Sequence, residues 1–279
     1  MAPSDARRPA TGQPTGPAGR GATGALAAHR EGAGPRVVLV HGFTQTAASW
    51  RRVVAALGDR YEVVTVDLPG HGASAACAVT SLSDAASLVG DAGGRACYVG
   101  YSLGGRCCLT LALEHPELVE SLVLVGATAG ILDEHERAAR RAADDALADR
   151  LDAADGQPAG LEEFLRDWLA GPLFAHLDAD QADVASRLAN TPRGLAASLR
   201  TMGTGTQVPS YDRLAGLEMP VTLVTGAKDE RFDALARHMA AAIGPNARHE
   251  VVPDVGHAVP FEAPDAFAAL LGRCLASGP

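Results

Sequence analysis

Short apolar runs alternate with amphipathic stretches through the first half of the chain. Four runs rich in valine and leucine read RVVLVHG, YEVVTVD, ACYVGYS and SLVLVGA, at residues 36–42, 61–67, 96–102 and 121–127. Near-continuous aliphatic runs separated by helical segments are typical of parallel strands that are buried on both faces. The pattern therefore predicts an α/β fold with a mostly parallel sheet flanked by helices.

The pattern changes between residues 131 and 205, where β-branched runs disappear. Ala, Arg, Asp, Leu and Glu recur there at helical spacing, as in LEEFLRDWLAGPLFAHL at residues 161–177. Strand-like runs resume at residues 220–229 and 249–257, and an amphipathic helix beginning near Pro264 ends the chain. We expect the helical segment to be an insertion that caps the carboxyl edge of the sheet, where ligands bind in such folds.

These changes divide the chain into four predicted parts. Residues 1–21 are dominated by Pro, Gly, Ala and Thr, and a segment with so little to bury is expected to be a disordered tail. The first part of the core is predicted at 22–130, the helical cap at 131–205 and the second part of the core at 206–279.

Composition narrows the class of protein. A chain of 279 residues that is 47% hydrophobic can bury a sizeable core. Its formal net charge of −9 argues against nucleic-acid or anionic-membrane partners, so an anionic substrate would need local arginines. Five cysteines without a Cys-x-x-Cys pair, and no apolar run near the roughly 18 residues that span a bilayer, favour a cytoplasmic protein. The oligomeric state stays open.

A candidate nucleophile lies in GYSLG, at residues 100–104, between a predicted buried strand and a predicted helix. This is the context of a nucleophile elbow, in which glycines permit a sharp turn that exposes the hydroxyl of Ser102. The alternative is a Gly/Ser-rich turn or a phosphate-binding loop, so the rest of the sequence has to decide.

A serine becomes reactive when a histidine takes its proton and a carboxylate orients that histidine. Asp229 ends one predicted strand and His257 follows another, which gives the order Ser, Asp, His found in α/β-hydrolases. Asp254 is a rival acid, but it shares a loop with His257 and is more typical of a turn residue.

VHGF, at residues 40–43, supplies a candidate oxyanion hole. The backbone N–H of Phe43 would lie beside that of Leu103, and two such donors stabilise a developing negative charge on oxygen. His41 and Gly42 could instead form a plain tight turn. DLPGHGAS, at residues 67–74, is a fifth signal in the expected order.

Residues 22–279 as a whole resemble the α/β-hydrolase superfamily. The segments GYSLGGR, ERAARRAADDALA, FLRDWLAGPLF, LRTMGTGTQVPS and KDERF resemble, more narrowly, the 2-succinyl-6-hydroxy-2,4-cyclohexadiene-1-carboxylate (SHCHC) synthases of menaquinone biosynthesis. The resemblance implies a triad that removes a proton next to the succinyl ketone of a cyclohexene substrate and expels pyruvate from its enolpyruvyl ether. It implies neither a metal nor an organic cofactor.

The resemblance also implies which residues bind the substrate, which carries three carboxylates. Guanidinium groups bind carboxylates bidentately, so Arg106, on the helix after the elbow, would point into the site. The family pattern places a second arginine at Arg140 and a tryptophan at Trp168, and Arg187 is a further candidate, as is Tyr101 in the elbow motif. Taken singly, helical arginines are commonly solvated, and a tryptophan can equally be a core residue.

Two other functions stay open, because one fold hosts many activities. The protein could be a serine hydrolase, an esterase or lactonase that acts on a small acidic substrate through an acylated Ser102. It could also be a non-catalytic protein that binds a ligand and retains the triad.

Overall fold

A computed structural model describes residues 24–276, so the tail predicted at residues 1–21 lies outside the described part. The strands are β1 Ala28–Glu31, β2 Arg36–Val40, β3 Glu62–Val66, β4 Ala96–Tyr101, β5 Val119–Val125, β6 Val221–Gly226 and β7 Ala247–Val252. The helices are α1 Arg51–Leu57, α2 Leu82–Gly93, α3 Leu103–Glu114, α4 Glu134–Ala154, α5 Gly160–Leu169, α6 Ala179–Ala182, α7 Val184–Arg187, α8 Pro192–Met202, α9 Glu230–Ile243, α10 Val259–Glu262 and α11 Pro264–Ala276. Short 3₁₀ turns lie at Ala47–Trp50, Gly58–Arg60, Gly72–Ser74, Pro116–Leu118, Pro172–Phe174 and Tyr211–Gly216.

The seven strands form one sheet in the order β1-β3-β2-β4-β5-β6-β7. Among the strands of residues 24–276, only β1 is antiparallel to its neighbour, which confirms the mostly parallel sheet predicted from the apolar runs. The chain leaves β2 toward one side to form β3 and then crosses to the other side to form β4. Ligands bind at such a switch point in open sheets, and here the loops after Val40 and Tyr101 meet at it.

Alternate residues of the strands feed two separate apolar layers, as the period of two in a strand requires. Val38 and Val40 of β2 join the layer that contains α2, α3 and α9. Val37 and Leu39 join the layer that contains α1 and α11. Both faces of the sheet are therefore covered, and this is why the five inner strands, β2–β6, read as near-continuous apolar runs.

Helices α4–α8, which we call the helical insertion, lie between β5 and β6 in the chain. They pack around an apolar cluster of their own, built mainly from α4, α5 and α8, and Phe43 and Trp168 pack against it. The division of the chain into core and cap stays a prediction. No helix among residues 24–276 has both the length and the apolarity needed to cross a bilayer.

Candidate active site

Ser102 sits in a strained turn between β4 and α3. Its backbone adopts φ 52° and ψ −110°, a conformation that L-residues rarely occupy. A Cβ on Gly104 would lie 2.1 Å from the carbonyl oxygen of Val40, and one on Gly100 would lie 2.4 Å from that of Gly104. The glycines around the serine therefore let α3 pack directly on the sheet while the serine hydroxyl stays at its edge.

The structure brings Ser102, His257 and Asp229 together. The Oγ atom of Ser102 lies 3.4 Å from Nε2 of His257, and Nδ1 of His257 lies 2.7 Å from Oδ2 of Asp229. A carboxylate at Nδ1 keeps the proton on that nitrogen, which leaves Nε2 free to accept the serine proton. The rival acid, Asp254, occupies a turn with φ 64°, while both ring nitrogens of His257 face the other two residues.

Aromatic rings and a backbone N–H group hold the two partners of the serine in place. The N–H of Phe232 donates to Oδ1 of Asp229 at 3.2 Å, and the ring of Phe232 packs 4.4 Å from that of His257. The Tyr101 ring lies 5.5 Å from His257 on another side. Because His257 is only 2% exposed, the orientation of its imidazole is fixed by packing as well as by hydrogen bonds.

Glu262 is a positioning residue that the sequence reasoning missed. Its carboxylate accepts the backbone N–H of Gly256 at 2.5 Å and that of Ala258 at 2.9 Å, the residues on either side of His257. Charge-assisted bonds of this kind are stronger than neutral ones. The available signal was an acidic residue in α10, the short helix that directly follows the histidine loop.

The two predicted oxyanion donors both line the cavity at Ser102. Leu103 is the first residue of α3, so its N–H has no partner within the helix and carries the partial positive charge of the helix start. Neither the Leu103 N–H nor that of Phe43 has an acceptor in the described part of the chain. An oxygen that gains negative charge beside Ser102 would find two unused donors.

The loop that carries Phe43 is held from the helical insertion. Thr44 adopts φ 68°, and its hydroxyl accepts a hydrogen bond from Nη1 of Arg187. The side-chain amide of Asn190 donates to the carbonyl oxygen of Thr44 at 2.7 Å and accepts the N–H of Gly72 at 2.9 Å. The position of the Phe43 N–H group therefore depends on residues of the insertion.

A cavity of about 920 Å³ lies between the sheet edge and the helical insertion. This volume is at the upper end of the range for small-molecule sites. Nine of the ten predicted site residues line it, and the tenth, Asp229, lies behind His257. Those nine are Phe43, Tyr101, Ser102, Leu103, Arg106, Arg140, Trp168, Arg187 and His257.

Arg106 is buried at 7% exposure. It donates to the carbonyl oxygen of Met202 at 2.8 Å and to Oε1 of Gln207 at 3.3 Å. Burial lowers the pKa of Arg106 to about 10, with Arg140 adding to the lowering and Asp144 opposing it. The guanidinium stays charged at neutral pH without a carboxylate bonded to it, which suits it to an incoming anion.

Arg140 and Arg187 also line the cavity, and each is anchored differently. Nε of Arg140 donates at 2.8 Å to Oδ1 of Asp144, a buried carboxylate that also accepts the N–H of Gly205 at 3.3 Å. Nε of Arg187 donates to the carbonyl oxygen of Ala182 at 2.7 Å. Burial lowers the pKa of Arg187 to about 10. Asp144 is a second residue that sequence reasoning missed.

Trp168 forms the aromatic wall of the cavity. Its ring packs edge-on against Phe43 at 5.4 Å and against Phe174 at 5.8 Å. The buried Nε1 of Trp168 and Oγ of Ser198, which also lines the cavity, have no hydrogen-bond partner among residues 24–276. Buried donors without a partner are costly, and a polar ligand in the cavity is one way to satisfy them.

Two further histidines lie at the switch point and have structural roles. Nε2 of His41 accepts the N–H of Leu68 at 3.0 Å, and the His71 ring lies 5.0 Å from that of His41. Burial lowers the pKa of His41 to about 4 and that of His71 to about 3, so both are neutral near pH 7. Across the described residues, no three His, Cys, Asp or Glu side chains are grouped to hold a metal ion.

Comparisons with a protein family, with individual proteins and with a solved structure each give a match over most of this chain. The family described as the alpha/beta hydrolase fold matches residues 35–264. A putative SHCHC synthase of Bacillus subtilis (strain 168) is 33% identical over 91% of this chain and 94% of its own. The SHCHC synthase of Enterobacter sp. (strain 638) is 34% identical over 86% and 92%. MenH from S. aureus superposes with a TM-score of 0.80 at 28% identity, covering 91% of this chain and 98% of its own.

Proposed function

Because this chain belongs to the alpha/beta hydrolase fold family and, within it, to the family of SHCHC synthases, we propose that it is itself an SHCHC synthase of menaquinone biosynthesis. In this reaction 2-succinyl-5-enolpyruvyl-6-hydroxy-3-cyclohexene-1-carboxylate loses pyruvate and becomes SHCHC. The enzyme is then a carbon–oxygen lyase in which Ser102, His257 and Asp229 are the catalytic residues.

The observation that carries this proposal is that Ser102 and His257 of the candidate triad share one cavity with three arginines. Arg106, Arg140 and Arg187 all line the space in front of Ser102, and two of them are buried. Burying a cation is costly unless it is paired. A substrate with three carboxylates offsets that cost, whereas a neutral ester would leave the two buried guanidinium groups, of Arg106 and Arg187, with neutral acceptors only.

The geometry supports a mechanism in which His257 takes the Ser102 proton and the alkoxide acts as the base. The alkoxide removes the proton from the ring carbon next to the succinyl ketone: the C–H bond breaks, the serine O–H re-forms, and the electron pair produces an enolate. The N–H groups of Phe43 and Leu103 stabilise the enolate oxygen. The electron pair of the enolate then moves back through the ring double bond, and the C–O bond to the enolpyruvyl group breaks. His257 gives its proton to the leaving group. No water is consumed.

The test is an assay of pyruvate release from freshly prepared enolpyruvyl substrate, coupled to NADH consumption by lactate dehydrogenase. We expect rapid release by the wild type and a fall in kcat of about 10³-fold or more in Ser102→Ala, since triad members act as a unit. Asp229→Asn should also lose activity. Asp254→Asn, which changes the rival acid, is the matched control and should stay within about twofold of wild type, as surface changes usually do.

Three results would overturn the proposal. Release of pyruvate no faster than the uncatalysed background would exclude the lyase. Turnover of a small acidic ester with mass-spectrometric detection of acylated Ser102 would instead identify a hydrolase. Binding of the substrate without turnover, unchanged in Ser102→Ala, would identify a non-catalytic binding protein.

A further inference from the structure

One face of α9 forms a wall of the cavity that the proposed mechanism does not use. Arg231, Ala234, Leu235 and His238 line the cavity and are spaced as i, i+3, i+4 and i+7, so they lie on one side of the helix. The Tyr211 ring stacks on His238 at 4.7 Å. We call these five residues the α9 face.

Arg231 differs from the other arginines of the cavity. Arg106, Arg140 and Arg187 each donate to a protein acceptor, whereas the exposed Arg231 side chain has neither a hydrogen bond nor an ion pair with any residue in the range 24–276. Arg237, six residues further along α9, is bound to Asp233 at 2.9 Å. Arg231 is therefore a cavity-lining arginine without a protein partner among the described residues.

The position of Arg231 links the cavity surface to the reaction centre. It lies two residues after Asp229 and directly before Phe232, whose ring packs on His257. Asp133 and Glu136, at the start of α4, also line the cavity. An approaching anion is repelled by these carboxylates and attracted to the guanidinium of Arg231.

Because the net charge of the chain is negative, an exposed cation at the cavity would help to attract an anionic substrate. With a formal net charge of −9, the protein as a whole repels a substrate with three carboxylates. Exposed charges at the rim of a site mainly alter how fast a charged partner arrives. Of the inner arginines, Arg106 and Arg187 are buried and act at short range. An exposed, uncompensated guanidinium acts on the approaching ligand before it is desolvated.

We propose that the α9 face is an outer carboxylate-binding site, in which Arg231 captures a carboxylate of the incoming substrate before it reaches Arg106, Arg140 and Arg187. This inference rests on the proposed function for the identity of the substrate, but the chemistry it requires is only that of a carboxylate. His238 and Tyr211 form the flat aromatic surface beside the captured group.

The experiment compares Arg231→Gln and Arg231→Glu with Arg237→Gln, a control that removes an arginine from the same helix outside the cavity. We expect kcat/KM at about 20 mM salt to fall about two- to fivefold in Arg231→Gln and about tenfold or more in Arg231→Glu, with kcat within about twofold. At about 500 mM salt the differences should shrink to less than about twofold, because screening shortens the range of exposed charges. Arg237→Gln should match wild type.

A second measurement separates this inference from the proposed function. Calorimetric titration with succinate, a simple dicarboxylate, needs no turnover, and we expect weaker binding in Arg231→Gln than in wild type or Arg237→Gln. Wild-type kinetics and succinate binding in Arg231→Gln would refute the outer site even if pyruvate release is confirmed. A fall in kcat that persists at high salt would also refute it, because it would assign Arg231 to the chemical step.

Discussion

The substitution Glu262→Gln tests whether the histidine loop is held by a carboxylate. The two N–H bonds at 2.5 and 2.9 Å flank His257. Glutamine keeps one accepting oxygen but turns an NH₂ group toward the other N–H donor. Bonds to a charged group contribute about 1.5–3 kcal/mol each, and because Glu262 is half-buried we expect a stability loss of about 1–2 kcal/mol.

The catalytic effect should be larger than the stability loss suggests. Nε2 of His257 already lies 3.4 Å from the Ser102 hydroxyl, and a shift of the loop by a further fraction of an ångström weakens that proton transfer. We expect kcat to fall about 10- to 100-fold, which corresponds to about 1.4–2.7 kcal/mol in the barrier. KM should change less than about twofold, because Glu262 is absent from the cavity lining.

The assay is steady-state pyruvate release together with urea unfolding, with Glu218→Gln as the control. Glu218 is exposed, so the control should leave both kcat and stability unchanged. If Glu262→Gln unfolds more easily but keeps a wild-type kcat, the carboxylate has only a structural role and the reasoning from loop position to catalysis is wrong. A rise in KM at constant kcat would refute it as well.

The Asp144 carboxylate, the close approach at Gly104 and the buried His71 can each be tested by one substitution. Asp144→Asn removes the charge that anchors Arg140, and we expect KM to rise about three- to tenfold at nearly constant kcat; a wild-type KM in steady-state kinetics would contradict this. Gly104→Ala places a Cβ 2.1 Å from a backbone oxygen and should lower the free energy of unfolding by about 3 kcal/mol. The control Gly216→Ala, which has open space around the added Cβ, should change that free energy little. Equal urea midpoints for the two variants would contradict this prediction. The buried His71 has its pKa lowered to about 3, while the unfolded chain titrates near 6.5, so protonation of the unfolded state removes stability as pH falls below 6.5. His71→Gln should reduce that loss by about 1.4 kcal/mol per pH unit between pH 6 and 4, measured by urea unfolding at each pH; parallel curves for wild type and variant would contradict this.

Most of the sheet could be predicted from the sequence because its five inner strands, β2–β6, are buried on both faces. The exception is β1, Ala28–Glu31, whose four residues are all exposed. Among the described residues it pairs only with β3, at the edge of the sheet, so it needs no apolar run and has no hydrophobic pattern that would predict it. An edge strand of this kind is positioned by its pairing with the neighbouring strand. For β1 that neighbour is β3, whose paired residues are more than thirty positions away in the chain.

The residues of the candidate site also fall into two groups, those that local sequence motifs predict and those that no local motif predicts. Ser102 and the Phe43 loop belong to local motifs in which glycine spacing and strand ends carry the signal. Asp144 and Glu262 act through bonds to backbone groups or to another side chain, and an acidic residue within a helix looks the same whether it is solvated or buried. Their roles appear only once the insertion and the histidine loop are folded against the sheet.

The double hold on Thr44 has a consequence for the way this scaffold can be re-engineered. The insertion supplies cavity residues, and it also grips the loop that carries an oxyanion donor, through Arg187 and Asn190. A chimaera that received the insertion of another enzyme would exchange its substrate pocket and at the same time release Thr44. Recognition and reactivity are therefore not separable modules in this chain, and a transplant has to bring residues equivalent to Arg187 and Asn190 with it.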